Sequence, residues 1–379
     1  MSEPWVQTAI RAAAMRGGTS KGLFFLDADL PADRATRDAV LLAAMGSPDE
    51  REIDGMGGAH PLTSKVAVVS PSAREDADVE YLFLQVWPDR PEVSDSQNCG
   101  NMLAGVGPFA IEQGLVAAGD DVTPVRIWMR NTSTLAIATV QTPGGLVRYD
   151  GDARIDGVPG SHAPIPIEFA DVAGSTCGAL LPTGNVTDEI EGMQVTCIDN
   201  GMPVVCLAAA DFGLNGQESP AELEANDELR KRVEAIRLAA GPLMNLGDVT
   251  NQTVPKMSLL SPPSRGGAIS TRTFIPHRVH EAIGVFGAVS VATACMLPGS
   301  VAHAIAKLPA DADDQATTGG DSDIEVEHPT GFFTVTLAVQ VSGGTVTVTR
   351  SALLRTARLL MRGEVMVPAT VWRGEREAR

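Results

Sequence analysis

The sequence predicts an α+β protein built from two similar, pseudo-symmetric domains with a ligand cleft between them. Three observations predict it. The same order of local patterns occurs twice, at a spacing of about 190 residues. The chain has 379 residues and 44% hydrophobic content, enough for two cores. Each copy also holds a glycine loop followed by small apolar residues that suit a buried helix.

The first copy opens with MRGGTSKG, residues 15–22. A nucleotide phosphate loop needs its lysine before the hydroxyl and a helix after it. Here Ser20 precedes Lys21, and Leu23 to Leu26 is a short apolar run that reads as a strand. A plain glycine hairpin is the alternative. As an anion holder, the loop offers Thr19 and Ser20 as donors to a carboxylate, and Lys21 is expected on the other side of the strand in a structural role. TSKGLFFLDADL (19–30) has its counterpart in NGMPVVCLAAADFGL (200–214). LLAAMGSP (41–48) ends an amphipathic helix, as does IRLAAGPL (236–243). SKVAVVSPS (64–72) matches PKMSLLSPP (255–263): a lysine, an apolar strand, then Ser-Pro. NCGNMLAGVGPFAIEQGL (98–115) parallels VFGAVSVATACMLPGSV (285–301). The Pro- and Gly-rich DGVPGSHAPIP (156–166) predicts a linker near 160–180, hence domains over 1–175 and 176–379. The polar, acidic segment 310–323 predicts a mobile loop.

The net charge of −18 and the lack of basic clusters exclude a nucleic-acid partner. An anionic ligand would need its cations concentrated in a pocket. Five scattered cysteines argue against a disulfide framework, and no metal-ligand spacing occurs among cysteines and histidines. No signal-peptide pattern is seen at the start. The longest uncharged apolar stretch, Ala282 to Leu297, is too short to span a bilayer. The expectation is a cytoplasmic protein with no metal, no membrane partner and a small-molecule substrate.

Two helix N-termini, after Cys99-Gly100 and after Phe286-Gly287, would present unpaired N–H groups to a molecule with several carboxylates. A thiol at a helix N-terminus is biased toward thiolate, so Cys99, flanked by Asn98, Gly100 and Asn101, is a candidate acid–base group. The four other cysteines lie in apolar runs and read as core. Lys65 is the second candidate, because burial favours a neutral amine that can act as a base. A lysine recurs at the same repeat position, Lys256, next to Met257. Lys256, Arg272 and Arg278 could hold a second carboxylate arm, with a solvated-surface reading of equal weight. The repeat sets Phe286 opposite Cys99, which leaves no second thiol. The N–H groups of Gly100 and Asn101, with the hydroxyls of Thr19, Ser20 and Ser64, could stabilise an enolate. Gly287 and Ala288 are the corresponding positions in the second copy.

The motifs MRGGTSKG, DGMGGAHPLTSKV, SQNCGNMLAGVGPFA, IDNGMPVV, VPKMSLLSPP and FGAVSVATA resemble the PrpF family, from about Arg11 to about Arg362. The resemblance implies the diaminopimelate epimerase fold, each domain a sheet wrapped around a central helix. It implies a cofactor-independent isomerase or tautomerase that moves a proton within an unsaturated tricarboxylate. The substrate it favours is 4-oxalomesaconate, in the breakdown of gallate and protocatechuate. Methylaconitate, methylitaconate and aconitate are alternatives, and a binding protein without chemistry is a further one. It assigns acid–base roles to Lys65 and Cys99. Asn98, Met257, Gly287 and Ala288 complete the candidate substrate-contacting set. Phe286 departs from the two-thiol pattern of the epimerase relatives, which disfavours amino-acid racemisation. A homodimer is the candidate assembly.

Overall fold

The computed structural model describes residues 7–95, 99–170, 172–310, 312, 315, 318–342 and 345–374. The chain divides into two compact units, the first comprising residues 1–167 and 355–379, the second 168–354.

In the first unit, β1 (Gln7–Gly17) and β2 (Ser20–Leu26) form an antiparallel hairpin across Gly18-Thr19. Gly18 has φ +51°, a left-handed conformation that glycine adopts without cost. A short 3-10 turn and α1 (Arg34–Met45) follow. Asp33 caps α1 by accepting from the Thr36 N–H, and Gly46, left-handed, ends it. Then come β3 (Lys65–Pro71), β4 (Val79–Val86), β5 (Val93–Ser94), α2 (Gly100–Glu112), β6 (Val122–Met129) and β7 (Thr134–Gln141). The pairings alternate: β1–β2 antiparallel, β2–β3 parallel, β3–β4 antiparallel, β4–β6 parallel, β6–β7 antiparallel.

Both faces of these strands are buried, each for its own reason. Phe25, Val66, Val68, Leu82 and Leu84 pack with Val40, Leu41 and Met45 of α1. Phe24, Ala67 and Phe83, on the alternate positions, are equally buried. Phe24 lies 5.6 Å, ring to ring, from Phe109 of α2. α2 is buried from Met102 through Ala110, and a helix that is apolar all round must be enclosed. It contacts β1, β2, β3, β4, β6 and β7, so the sheet wraps around it. Gly105 is the concession to that closeness: a Cβ there would stand 2.6 Å from Phe24 Cζ.

β8 (Ile165–Phe169) carries the chain past the unit boundary. The second unit runs β9 (Asp188–Ile190), β10 (Met193–Asp199), β11 (Pro203–Ala208), α3 (Pro220–Ala225), α4 (Asp227–Leu243), β12 (Lys256–Ser261), β13 (Ile269–Phe274), α5 (Val285–Cys295), α6 (Val301–Ile305), β14 (Asp321–His328), β15 (Gly331–Ser342) and β16 (Thr345–Arg355). β10 to β15 repeat the alternation of the first unit. α5 is buried from Gly287 through Cys295 and packs on β10, β11, β14 and β15. The repeat is therefore one of topology, and the α+β fold is as expected. The chain then returns to the first unit as β17 (Ala357–Pro368), antiparallel to β1 along its whole length.

That return differs from the expected division at 175: the last strand belongs to the first unit because its ladder partner is β1. The segment expected as a linker holds β8. Of the expected loop over 310–323, residues 311, 313, 314, 316 and 317 lie outside the described residues, and Asp321 to Asp323 open β14. Among the described residues, no helix is long and apolar enough to cross a membrane.

In the second unit Glu327 anchors the loop before β13. Burial alone would raise its carboxyl. The N–H groups of Ser264, Gly267 and Arg265, with the Ser264 hydroxyl, outweigh burial and hold it below the ordinary 4.5. Its stabilising effect is complete above the unfolded value and is lost as pH falls through the lower folded value. Urea unfolding from about pH 6 to about pH 3 is expected to show a smaller acid-induced loss in Glu327→Gln than in the wild type. Equal losses would remove Glu327 from the acid response.

Candidate active site

Lys65 opens β3 on the face turned to α2, and Cys99 is the N-cap of α2. Their separation in sequence vanishes in space: Lys65 Nζ lies 3.6 Å from Cys99 Sγ. Both are buried, at 7% and 9% exposure. An amine–thiol pair and an ammonium–thiolate pair differ only in where one proton sits, so this contact is suited to moving one.

Surrounding groups hold the pair in place. Lys65 Nζ stands 4.9 Å from the centre of the Phe83 ring. Tyr81 Oη donates to the Cys99 carbonyl at 3.4 Å. Burial, then the charge of Cys99, pushes the Tyr81 phenol well above its usual value, so it remains a donor. Gln85 Nε2 donates to the Ser64 carbonyl at 2.9 Å and to the Pro61 carbonyl at 3.0 Å, which pins the residues just before Lys65. Arg355 is 5% exposed; burial lowers its guanidinium to about 10, and the Cys99 charge opposes that shift.

The hairpin approaches α2 closely. The Thr19 N–H donates to Asn101 Oδ1 at 3.4 Å. A Cβ on Gly17 would lie 2.4 Å from the Asn101 carbonyl oxygen, and one on Gly22 would lie 2.0 Å from the Lys65 carbonyl oxygen. The helix contributes the N–H groups of Gly100, Asn101 and Met102, which have no acceptor within the helix; Leu103 N–H already reaches the Cys99 carbonyl.

The predicted site residues distribute unevenly. Lys65, Cys99, Gly100, Asn101, Thr19 and Ser20 come together in the first unit. Ser20 is 1% exposed, and among the described residues its Oγ has no hydrogen-bond partner. Ser64 does not offer a donor to a ligand, because its hydroxyl donates to Glu52 Oε1. Asn98 lies outside the described residues. In the second unit, Lys256 Nζ donates to the Thr253 carbonyl at 2.6 Å; burial, then the charge of Arg237, lowers its pKa. Arg272 is spent on the carbonyls of Glu218 and Thr271, at 2.6 and 2.9 Å. Arg278 is exposed and paired with Glu224 at 2.8 Å. Met257 sits in the core against α4, on the opposite face of β12 from Lys256.

The helix α5 begins at Val285, with Gly284 as its N-cap. Gly287 keeps an N–H without an acceptor in the helix, whereas that of Ala288 is taken by the Gly284 carbonyl at 2.8 Å. By position on the helix the counterpart of Cys99 is thus Gly284. Phe286 corresponds to Asn101: it packs against Gly201 of the β10–β11 hairpin, as Asn101 packs against Gly18. The expectation of Phe286 opposite Cys99 was two residues out of register, because small residues align equally well in several frames. Neither Gly284 nor Phe286 carries a thiol. Among the described residues no group of three or more histidine, cysteine, aspartate or glutamate side chains could hold a metal ion.

Sequence reasoning missed Glu52, Tyr81, Gln85 and Arg355. The signal for three of them was a polar group inside an apolar strand: VEYLFLQV for Tyr81 and Gln85, SALLRTARLL for Arg355.

Comparison with known proteins fits this geometry. The chain is 62% identical over 353 residues to a (4E)-oxalomesaconate Delta-isomerase of Novosphingobium sp. (strain KA1), covering 93% of this chain and 96% of that protein. It is 57% identical over 369 residues to a 4-oxalomesaconate tautomerase of Pseudomonas putida, covering 97% and 99%. Among solved structures, a methylitaconate-delta-isomerase superposes with a TM-score of 0.83 at 33% identity, over 98% of this chain and 99% of that one. Fold and relatives define an isomerase with the diaminopimelate-epimerase-like architecture. The chain belongs to the PrpF protein family, which matches residues 7–368.

Gly22→Ala tests the positioning of Lys65. The new methyl must push the Lys65 backbone, so kcat is expected to fall on the order of 100-fold, with a stability loss of about 1–3 kcal/mol. Unchanged kcat in the folded variant would show that Lys65 need not be held there.

Proposed function

We propose that the protein isomerises an unsaturated tricarboxylate, 4-oxalomesaconate first, by moving one proton along an allylic or keto–enol system. The observation that carries this is the buried contact of Lys65 Nζ with Cys99 Sγ at the head of α2. Lys65 acts as the principal base. It takes a proton from a carbon acidified by conjugation with a carbonyl. The electron pair delocalises toward that carbonyl, the double bond shifts, and a proton returns at the far end. Cys99 serves as the second acid–base group or positions the amine. Nothing is oxidised or reduced overall, so the step needs no cofactor.

Negative charge developing on the substrate meets the N–H groups of Gly100 and Asn101 and the positive end of the α2 dipole. Arg355, whose charge interacts with that of Cys99, adds positive potential to the site. One thiol and one amine suit a transfer between two different carbons. The oxalomesaconate relatives at 62% and 57% identity support the keto substrate. The likeness to the methylitaconate isomerase supports a second reading, isomerisation of methyl-substituted analogues. A working thiol at position 99 calls for a reducing compartment, and we propose the cytoplasm.

Incubation with 4-oxalomesaconate in deuterated water, followed by NMR, is expected to show isomerisation with deuterium entering the product. Turnover of methylitaconate, 2-methylaconitate or aconitate without turnover of 4-oxalomesaconate would sink the first reading. Lys65→Met is expected to lower kcat by about 10²–10⁴-fold in a folded protein. Cys99→Ser is expected to lose less if the thiol only positions the amine, and as much if it transfers the second proton.

A further inference from the structure

Three cations stand side by side on the sheet of the first unit. The β ladder pairs Arg16 directly with Lys21 of β2 on one side and with Arg358 of β17 on the other. Like charges directly opposite on neighbouring strands repel. Among the described residues, none of the three has a carboxylate within ion-pair distance. Arg16 Nη1 is held by the carbonyls of Gly18 and Thr356 and by Thr356 Oγ1, at 2.9 to 3.0 Å. Its Nη2 is buried without a partner among the described residues. Burial, then the charge of Arg358, lowers the Arg16 guanidinium below its usual value. In a chain of net charge −18, such a row is an arrangement that folding alone does not favour.

The row lines a pocket of about 330 Å³, a size that suits a small ligand. Thr19, Ser20 and Thr63 join it, and the loop from Gly157 to Pro159 covers one side. The loop is fitted closely: Gly157 has φ +80°, and a Cβ there would touch Thr19 Cγ2 at 3.0 Å. Ser20 also borders the pocket, with its side chain on the opposite face of β2 from Lys21.

We propose that this pocket is an anion site that takes a small polycarboxylate, whose carboxylates neutralise Lys21, Arg16 and Arg358. Its three cations are not part of the Lys65–Cys99 reading. Two sources share this chemistry. The carboxylates belong either to the substrate, since Thr63 leads directly into Ser64 and Lys65, or to a separate polycarboxylate.

Thermal unfolding of the full chain, titrated with tricarballylate against sodium chloride at matched ionic strength, tests the proposal. Tricarballylate is expected to raise Tm where chloride does not. Arg358→Gln and Lys21→Gln are each expected to need about tenfold more tricarballylate for the same rise, the loss of one charge-assisted hydrogen bond. Without ligand both variants should melt at or above the wild-type Tm, because the repulsion is relieved. Lys65→Met should keep the wild-type response. A tenfold rise in KM at unchanged kcat in Arg358→Gln would assign the site to the substrate; an unchanged KM with a lost Tm response would assign it to a separate anion. No rise beyond that in chloride, or an equal rise in wild type and both variants, would overturn the proposal. The Tm readout needs no turnover, so it stands or falls separately from the assigned reaction.

Discussion

The close approach of the β1–β2 hairpin to the N-terminus of α2 is the constraint on which the first unit's site depends. Three glycines allow it. Gly17 meets the Asn101 backbone, Gly18 meets the Asn101 side chain, and Gly22 meets the Lys65 carbonyl, each at a distance that excludes a Cβ. With side chains there, hairpin and helix would separate and β3 would move. Lys65 and Cys99 would then lose their contact, because one is fixed by the start of β3 and the other by the start of α2. The tight packing also expels water, which makes the charges and dipoles at the helix end count for more.

The helix itself follows from its composition. An element apolar on every side has no stable position except inside a sheet that closes around it. Enclosure leaves only the helix end to carry polar chemistry, and there Cys99 stands beside three N–H groups without helical acceptors. In the second unit the same enclosure surrounds α5, but its end carries Gly284 and Phe286. The cations expected there serve structure: Arg272 binds main-chain carbonyls, Arg278 pairs with Glu224, and Lys256 binds the Thr253 carbonyl. Duplication kept the scaffold, while the amine–thiol pair belongs to the first unit.

Charge is distributed on the same principle. The chain is strongly acidic as a whole, yet among the described residues no carboxylate pairs with Arg16, Lys21 or Arg358 around one pocket. Lys21, expected in a structural role, lines that pocket with Ser20. Only the ladder shows this, since Arg16 and Arg358 are 342 positions apart in the chain and become neighbours because β17 returns to β1.

The sequence by itself determined the elements and their repeated order. Local composition sets where a strand, a glycine turn or an all-apolar helix can form, and these signals lie within a few residues of one another. It also made Lys65 and Cys99 visible, because a lysine opening an apolar strand and a cysteine opening an apolar helix stand out against their surroundings. Tertiary structure alone decided which side chains were already engaged. Ser64 with Glu52, Arg278 with Glu224 and Met257 in the core look as available in the sequence as Ser20 does. It decided too that the last strand joins the first unit, and that α5 starts two residues earlier than the repeat suggests. Such outcomes depend on strand pairing and packing between distant segments, and the pattern of any one segment carries no information about them.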